Sequence, residues 1–431
     1  MLSILVASLL AHSPPPQPFD VHERPGMPSQ LLVGTNFGGL LSTNGGATWQ
    51  LVCEDAIGYP QGFTPAWWVS ASGATFAASP KGLFVSRDGM CSWSEHPQFA
   101  DGGASDIQGL DGSVVVTTGS YLSSGVLNNI YYSSDDGLTF TPSDATDDAG
   151  FYSSVRIAPS RPQRVYAADW WFDPYTEKLA VSDDGAKTFN VIDHTADLPA
   201  SGSFYVLAVS PANPDVLLAS LRTGSSPSDG YLLLSENAGT TFSVVASSLT
   251  SDSLYKSAAF SPDGQKAWVA LDDLGGGNHD QLLHSTDGAH TFTPLSPPQS
   301  VPCVAAYDDR LYTCSKQNLD GWAVGKGTTS ATPNFGPELI WQQIEGPLSC
   351  PGNSHVNDIC QVYWPVTQAQ FPAPPAGFDG GTGGGAGGGS GGGGAGGGGN
   401  GNHCGCAAGP PGLLFFGLLL VLGMSRRRVP G

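Results

Sequence analysis

Basic residues are scarce in this chain. Its 431 residues include 17 lysines and arginines against 37 aspartates and glutamates, so the formal net charge is −20. Nucleic-acid phosphates repel such an acidic surface, and we therefore expect no nucleic-acid partner. Charged residues make up only 13% of the chain, which together with 59 glycines and 34 prolines is typical of turn-rich β structure.

Common catalytic and metal-binding motifs are also absent. The sequence contains no phosphate-binding glycine loop, no Ser/His/Asp signature and no EF-hand spacing. We therefore predict neither a metal nor another cofactor. Calcium is the alternative, because clustered carboxylates could supply oxygen ligands. The candidate carboxylates are Asp106, Asp111, Asp144, Asp147 and Asp148.

What the chain does contain is a repeated motif of eight residues. Each copy begins with Ser, has Asp or Asn at its third position and ends in Thr or Ser followed by Trp or Phe. The six copies span 42–49, 86–93, 133–140, 182–189, 235–242 and 285–292. Short apolar runs flank each copy, which indicates a tight turn between two strands. The spacing of 44 to 53 residues indicates an array of units, each too small to bury a core alone.

Two further strand-like runs precede each hairpin, for example 204–210 and 216–220 in the fifth unit. Four strands per unit predict an all-β fold, the β-propeller. A seventh unit without the motif follows at 303–341, so we predict seven blades, with six as the alternative. The first unit lacks an innermost strand, and we assign 361–364 to that place.

The repeats resemble those of the Asp-box (BNR) β-propellers of the sialidase-like superfamily. The resemblance covers about residues 29–366 and implies that the motif residues are structural, not catalytic. Two asparagines depart from the family's aspartate at the third position. The residues at that position are Asn44, Asp88, Asp135, Asp184, Asn237 and Asp287.

Both ends of the chain look like targeting segments. Residues 1–13 are typical of a signal peptide, and a proline-rich lead-in occupies 14–28. After the propeller at 29–366, residues 367–403 form a Pro/Gly-rich flexible linker. Residues 404–431 combine Cys404 and Cys406 with a short apolar segment of transmembrane-helix length and an arginine cluster.

This tail resembles the MYXO-CTERM sorting signal of myxobacterial surface proteins. The resemblance implies processing near Cys404 by a sorting protease and display at the cell surface or outer envelope. Contact with the membrane would then occur only through the tail.

Six cysteines lie in the predicted propeller, and export permits disulfide bonds between them. Cys303 and Cys314 flank Asp308 and Asp309 symmetrically, so a hairpin turning there would bring the two sulfurs together. The remaining pairs are predicted from their places in the sequence. They are Cys53 with Cys91 and Cys350 with Cys360.

An aromatic run marks the candidate binding site. If the repeated turns share one face of the disc, the loops between second and third strands emerge at the other. The long fourth-unit loop carries Trp170, Trp171, Asp173 and Tyr175, and exposed aromatic side chains mark partner or sugar platforms. The alternative is that Trp171 or Phe172 fills the gap between two blades.

Catalysis has weaker support in the sequence. Sialidase chemistry needs three converging arginines, and no motif supports the set Arg156, Arg222 and Arg310. We interpret His279, Asp280 and His284 as surface polar residues.

We therefore expect a monomeric, surface-displayed, non-enzymatic binding module whose partner is an extracellular or cell-surface protein or glycan. The alternatives are a secreted carbohydrate-active enzyme of glycosidase or sialidase type and a chaperone-like assembly factor.

Overall fold

Strands dominate the computed structural model, which describes residues 15–59, 63–100, 102–119, 128–145, 150–172, 175–224, 228–248, 253–273, 280–352 and 354–375. The predictions for the signal peptide, for Cys404 and Cys406 and for most of the linker fall outside these residues. Asp147, Asp148, Asp173 and His279 also lie outside them. Among the residues that are described, no helix is long and apolar enough to cross a membrane.

Seven sheets are present in this part of the chain, and each contains four consecutive strands. Blade 1 contains β1 (Pro18–Arg24), β2 (Met27–Thr35), β3 (Gly38–Ser42) and β4 (Trp49–Cys53). Blade 2 contains β5 (Ala66–Val69), β6 (Thr75–Ser79), β7 (Gly82–Ser86) and β8 (Ser94–Glu95). Blade 3 contains β9 (Ala104–Leu110), β10 (Ser113–Thr118), β11 (Ile130–Ser133) and β12 (Thr141–Pro142). Blade 4 contains β13 (Phe151–Ile157), β14 (Val165–Phe172), β15 (Tyr175–Ser182) and β16 (Asn190–Asp193).

Blades 5 to 7 follow the same plan. Blade 5 contains β17 (Gly202–Val209), β18 (Leu217–Thr223), β19 (Gly230–Ser235) and β20 (Ser243–Ser248). Blade 6 contains β21 (Ser253–Phe260), β22 (Ala267–Asp273), β23 (Gln281–Ser285) and β24 (Thr293–Leu295). Blade 7 contains β25 (Val304–Tyr307), β26 (Arg310–Cys314), β27 (Val324–Thr328) and β28 (Gly336–Leu339). The remaining elements are strand β29 (Ile344–Pro347) and the helices α1 (Glu54–Ile57), α2 (Gln317–Asp320) and α3 (His355–Ala369), with short 3-10 turns at Pro97–Phe99 and Trp341–Gln343.

These sheets confirm the predicted seven-bladed β-propeller. The innermost strand β1 contacts both β5 of blade 2 and β25 of blade 7, so the inner strands form a closed ring. The apolar core lies between the blades, where Phe76 of blade 2 clusters with Val116 of blade 3 and Leu179 of blade 4 with Phe204 of blade 5. Each blade therefore buries both of its faces, and no single unit could be stable alone.

The innermost strand of blade 1 is β1, which lies in the segment predicted to be a lead-in. The assignment of 361–364 to this place is wrong, because those residues belong to α3. Ser354 caps α3 by accepting a hydrogen bond from the Val356 N–H, and Val356 and Cys360, one helical turn apart, are buried. The sequence did not predict β1, because the strand begins with Pro18 and proline is unusual in strands except at such terminal positions.

A last strand and helix close the ring on its outside. β29 pairs in parallel with β4 and becomes a fifth strand in the sheet of blade 1. Helix α3 then packs against β4, β29 and α1. Blade 1 therefore holds strands from both ends of the propeller, as predicted, but the later one joins its outer edge.

The predicted bond between Cys303 and Cys314 is confirmed. The two residues lie on the β25–β26 hairpin with their Cα atoms 4.8 Å apart. Disulfide bonds persist in oxidising compartments, so the three in this structure indicate an extracellular protein.

The other two predicted pairs are wrong. Cys53 is bonded to Cys360, and Cys91 is bonded to Cys350. Helix α3 turns Cys360 toward the end of β4, while Ser354 holds the segment before the helix against the second turn by donating to the Cys91 carbonyl. Both bonds therefore fasten the closing segment to blades 1 and 2.

Neighbouring inner strands are joined by side chains that cap backbone N–H groups. Three such bonds are Val155 N to Asp106 Oδ2 (2.9 Å), Val206 N to Ser154 Oγ (2.8 Å) and Val304 N to Ser257 Oγ (2.8 Å). In each of these strands the register shifts close to the accepting residue. Backbone N–H groups at the open edge of an inner strand thereby gain hydrogen-bond acceptors from the preceding blade.

Candidate functional site

All six repeated motifs fold into the same turn. In each, the first-position serine hydroxyl accepts the N–H of the fifth residue at 2.9–3.0 Å. The side-chain oxygen at the third position accepts the N–H of the seventh residue, also at 2.9–3.0 Å. The third-position residues Asn44, Asp88, Asp135, Asp184, Asn237 and Asp287 therefore each make hydrogen bonds within their own turn.

The fourth and fifth residues of every turn lie in the left-handed region of backbone space. Glycine adopts it freely, but the five non-glycine residues there take φ values of 58–72° at a cost of about 1–2 kcal/mol each. They are Met90, Asp136, Ala186, Ala238 and Ala289. The fifth position also packs on the preceding blade: a Cβ at Gly137 would lie 2.6 Å from the Phe76 ring.

The third-position carboxylates should make the stability of their turns depend on pH. Hydrogen bonds from the Thr139 hydroxyl and N–H and from the Ser133 hydroxyl lower the pKa of Asp135 to about 2. Because the folded pKa is depressed, the stabilisation is present above the ordinary pKa of about 4 and is lost as the pH falls from about 4 to 2. We expect Asp135→Ala to lower the free energy of unfolding by roughly 1–3 kcal/mol at pH 7, since several N–H and O–H donors lose their acceptor.

Asp135→Asn is the matched control. Asn44 and Asn237 already occupy this position in two turns and donate to the following threonine hydroxyl instead of accepting from it. The asparagine variant should therefore stay within about 0.5 kcal/mol of the parent at pH 7 and lose the acid dependence of that turn. Urea denaturation at pH 7 and pH 3 measures both effects, and equal losses from the two variants would contradict the assigned role.

The aromatic run in blade 4 forms a projecting hairpin. The inner strand β13 ends its pairing at Phe151 opposite Trp170, but β14 and β15 remain paired for two residues beyond that point. Trp171 pairs with Thr176 on this extension, and Tyr175 is 37% exposed. The predicted long loop is therefore mostly strand, consistent with the β preference of aromatic residues.

We call the side chains of Trp171 and Tyr175 on this extension the ledge. Tyr175 reaches the neighbouring blade, since a Cβ added at Gly224 would collide with its hydroxyl. Trp171 lies on the other face of the hairpin, which is turned toward blade 3, because side chains alternate along a strand. The ledge therefore occupies both faces of the hairpin tip, at the end of the disc opposite the repeated turns.

Trp170 and Trp171 are both half-buried, but Trp170 is packed on the core. Its half-buried ring lies 6.0 Å from Phe151 and packs on the core between blades 4 and 5. Of the predicted site residues, Trp170 thus supports the hairpin, while Trp171 and Tyr175 can meet a ligand. Asp173 falls outside the described residues.

Two buried carboxylates stabilise the base of the hairpin. Asp169 accepts the Phe151 N–H at 2.7 Å, and Glu177 accepts the Gly202 N–H at 2.6 Å, so each fixes the start of an inner strand. Burial raises the pKa of Glu177, opposed by the Gly202 bond. Sequence reasoning missed both residues, because their role depends on contacts between strands.

Charged side chains on the inner strands are largely engaged with one another. Arg156 bonds Asp106 at 2.6 Å and also donates to the Leu207 carbonyl of the next blade. Lys256 pairs with Asp272 at 3.2 Å, and its ammonium lies 4.5 Å from the centre of the Phe19 ring. These groups connect neighbouring blades and the two sides of the central channel.

The three arginines considered for sialidase chemistry do not converge. Arg222 lies near the ledge end of β18, whereas Arg310 opens β26 at the opposite end of blade 7. Arg310 is bonded to Glu23, and Arg156 to Asp106. A common carboxylate could not contact all three.

Two residues predicted to be surface polar groups are buried. Asp280 bonds Lys316 at 2.7 Å and accepts the Ser300 hydroxyl at 2.8 Å, which joins blade 6 to blade 7. His284 stacks on Trp268 with ring centres 5.8 Å apart, and burial lowers its pKa. The prediction was wrong because polar residues that bond across blades have no distinct local pattern.

Of the carboxylates named for the calcium alternative, Asp106, Asp111 and Asp144 lie in the described residues. Asp106 is paired with Arg156, and Asp144 accepts the Phe189 N–H at 2.9 Å. Within the described ranges no group of three or more His, Cys, Asp or Glu side chains could hold a metal ion. Calcium binding stays a prediction for the segment that contains Asp147 and Asp148.

Comparison with known proteins yields only structural similarity. No protein-family model matches the chain, and no curated protein matches its sequence. Among solved structures, an ancestral GH74 enzyme is similar at 14% identity with a TM-score of 0.47, covering 78% of this chain and 55% of that enzyme. The chain therefore spans about half the length of that protein.

Two further solved structures are similar at the same level. YCF48 from Cyanidioschyzon merolae shares 14% identity with a TM-score of 0.47, covering 70% of this chain and 94% of that one. The extracellular domain of a putative hybrid two-component system from B. thetaiotaomicron shares 10% identity with a TM-score of 0.49, covering 70% and 37%. Similarity at this level assigns no activity to the chain.

Proposed function

We propose that this protein is a non-enzymatic binding module of the Asp-box propeller type, which meets an extracellular or cell-surface protein or glycan at the ledge. The observation that supports it most is the hairpin of blade 4, which carries Trp171 and Tyr175 beyond the ring of inner strands. Aromatic side chains offer large contact area at low conformational-entropy cost, and they dominate many binding interfaces.

The engaged charges favour binding over catalysis. A glycosidase needs two carboxylates free to act on a substrate, 5–10 Å apart as a rough guide. Asp106, Asp169 and Asp272 instead bond an arginine, a backbone N–H and a lysine. These bonds within and between blades explain why the three buried carboxylates are present, and no substrate is needed to explain them.

Surface display would follow from the tail. The three disulfide bonds fit an exported protein, and the proposed sorting signal at 404–431 would attach it to the outer envelope. Mass spectrometry of the mature protein would show a new C-terminus near Cys404, and an intact tail on the displayed protein would contradict processing.

We expect Trp171→Ala combined with Tyr175→Ala to weaken ligand binding by about tenfold or more, because the ledge supplies the aromatic contact area at the tip of the hairpin. The full chain would be applied to an array of defined oligosaccharides and to immobilised outer-envelope vesicles of a myxobacterium. Val191→Ala, an exposed apolar change on β16 of the same blade, is the matched control and should bind like the parent.

Binding that survives the double substitution would remove the ledge as the site. Turnover of 4-methylumbelliferyl glycosides by the purified protein would overturn the non-enzymatic assignment. Binding to the oligosaccharides alone would identify the ligand as a glycan. Binding to the vesicles alone would identify it as another component of the envelope.

A further inference from the structure

Two histidines occupy equivalent places in the repeat. His96 follows the last residue of β8 in blade 2, and His194 follows the last residue of β16 in blade 4. Each ring packs edge-on against the phenylalanine that ends the turn of the next blade. The ring centres of His96 and Phe140 are 5.2 Å apart, and those of His194 and Phe242 are 5.1 Å apart. A histidine at this position therefore connects one blade to the turn of the following blade.

The two rings differ in burial. His96 is half-buried, and its Nε2 lies 3.4 Å from the Leu138 carbonyl oxygen. His194 is 1% exposed, and within the described ranges its Nε2 has no hydrogen-bond partner. The Phe204 ring of blade 5 also lies against it, with ring centres 6.4 Å apart. A second ring proton on His194 would place a positive charge in a largely apolar contact between blades 4 and 5.

The buried ring of His194 resists protonation. Burial lowers the pKa of His194, opposed only in part by a hydrogen bond to the Gly239 backbone and by the carboxylates of Asp197 and Asp193. Because the folded pKa is depressed, the unfolded chain takes up this proton first as the pH falls below about 6.5. The stability of the contact therefore decreases from about pH 6.5 down to the folded pKa.

Other charged groups near the ring act differently. On β15, burial raises the pKa of Glu177, so its protonation on acidification stabilises the fold, in the opposite sense to His194. Lys178 lies 3.9 Å from Asp169, and in the fifth turn Glu236 is paired with His290 at 3.2 Å. Strand β17 contains no charged residue. Loosening of blades 4 and 5 in mild acid would thus come from the histidine.

His194 is also joined to the hairpin that carries the ledge. Its backbone N–H donates to the Glu177 carbonyl at 2.8 Å, and the Thr195 hydroxyl accepts the Glu177 N–H at 3.1 Å. Glu177 lies two residues beyond Tyr175 and accepts the Gly202 N–H at the start of β17. Displacing His194 would therefore loosen the base of the hairpin and its bond to blade 5.

We propose that His194 is a pH-sensitive contact that controls the ledge. In mildly acidic medium its ring gains a proton and leaves the space between blades 4 and 5, and the hairpin that carries Trp171 and Tyr175 loosens. Histidine is the side chain whose charge ordinarily changes in this range. The inference rests on the proposed binding role of the ledge, which would hold its ligand at neutral pH and release it at about pH 5.5.

Hydrogen exchange of the full chain, measured by mass spectrometry at pH 7.5 and 5.5 and corrected for the intrinsic exchange rates, tests this contact without a ligand. We expect peptides that contain β15 and β17 to lose about fivefold or more of their protection at the lower pH. His194→Phe keeps an aromatic ring against Phe204 and Phe242 but cannot be protonated, so it should abolish the loss. His96→Phe, at the equivalent half-buried position, is the matched control and should respond like the parent.

Equal protection of these peptides at both pH values in the parent would overturn the proposal. A loss that persists in His194→Phe would overturn it as well. Should His194→Phe not fold, His194→Gln takes its place, because glutamine keeps a hydrogen-bond donor and stays uncharged.

Binding to the oligosaccharides and vesicles separates this inference from the proposed function. We expect binding to fall about fivefold or more between pH 7.5 and 5.5 in the parent and to stay constant in His194→Phe. Binding that is equal at both pH values in the parent would overturn the control of the ledge and leave the ledge as a binding site. If nothing bound at either pH, the proposed function would be wrong, and control of a binding site at the ledge would be overturned with it.

Discussion

Replacing Cys53 and Cys360 together with alanine is expected to lower the free energy of unfolding by about 4 kcal/mol. The bond joins residues 307 positions apart and fastens α3 to the end of β4. With the Cys91–Cys350 bond intact, the unfolded chain can pass through that bond, so the loop that is released contains roughly fifty residues. Chain entropy for a loop of that length gives the expected loss.

Removing both long-range bonds should cost more than the two separate losses combined. Without either bond, the unfolded chain regains the freedom of a loop of several hundred residues, which raises the total loss to about 10 kcal/mol. Domains are usually stable by only about 5–15 kcal/mol. We therefore expect the variant without both bonds to lose most of its resistance to guanidinium.

The Cys303–Cys314 bond provides an internal control. It spans 11 positions on one hairpin, so its replacement by alanines should cost about 3 kcal/mol and leave the closing segment in place. Guanidinium denaturation followed by tryptophan fluorescence compares the variants, and limited proteolysis reports on α3. Cleavage of α3 in the hairpin variant, or a negligible loss in the Cys53/Cys360 variant, would contradict the role assigned to the long-range bonds.

Replacing Glu23 with glutamine is expected to lower the free energy of unfolding by about 3–5 kcal/mol. Its carboxylate is 5% exposed and binds Arg310 of blade 7 through Nε at 2.6 Å and through Nη2 at 2.9 Å. The Tyr312 hydroxyl donates to the same carboxylate at 2.8 Å. Burial, together with Glu23, raises the pKa of Tyr312, which keeps that hydroxyl protonated.

The large effect follows from the place of this ion pair. It joins the inner strand of blade 1 to blade 7, where the ring closes, and the substitution leaves a partly buried guanidinium without its main partner. Asp308 and Asp309 also contact Arg310, but both are largely exposed and can replace little of the loss.

Asp183→Asn is the matched comparison. Asp183 also pairs with arginines, Arg161 and Arg164, but its side chain is 58% exposed. We expect a loss below about 1 kcal/mol, because the carboxylate is exposed and the buried Arg164 keeps its bond to Asp215 at 2.8 Å. The free energies of unfolding would be measured by urea denaturation. If the two substitutions lowered this free energy equally, burial of Glu23 would not explain its contribution to stability.

Local chemistry explains what the sequence predicted well. The six turns use contacts within eight residues, so their serines, third-position Asp or Asn and aromatic residues could be recognised in order. Their spacing predicted six blades, and the strand-like runs at 303–341 predicted the seventh. The Cys303–Cys314 bond was predictable for the same reason, because its hairpin brings the two sulfurs together.

Long-range contacts explain what the sequence did not predict. The partner of Cys53 lies 307 positions away, and nothing near either cysteine specifies it. The 170–175 run reads as a loop, yet cross-strand pairing extends it as a hairpin. Glu23 occupies a strand that begins with proline, and its importance depends on Arg310 at the other end of the propeller.

The two long-range disulfide bonds also determine how the propeller would bear mechanical load. A pulling force applied at residue 375 enters α3 and passes from Cys360 directly into Cys53, at the end of β4. The Cys350–Cys91 bond carries the remainder into blade 2. Force from the C-terminal side therefore reaches two blades through covalent bonds and bypasses the pairing of β29 with β4, which would otherwise be the first strand contact to peel away.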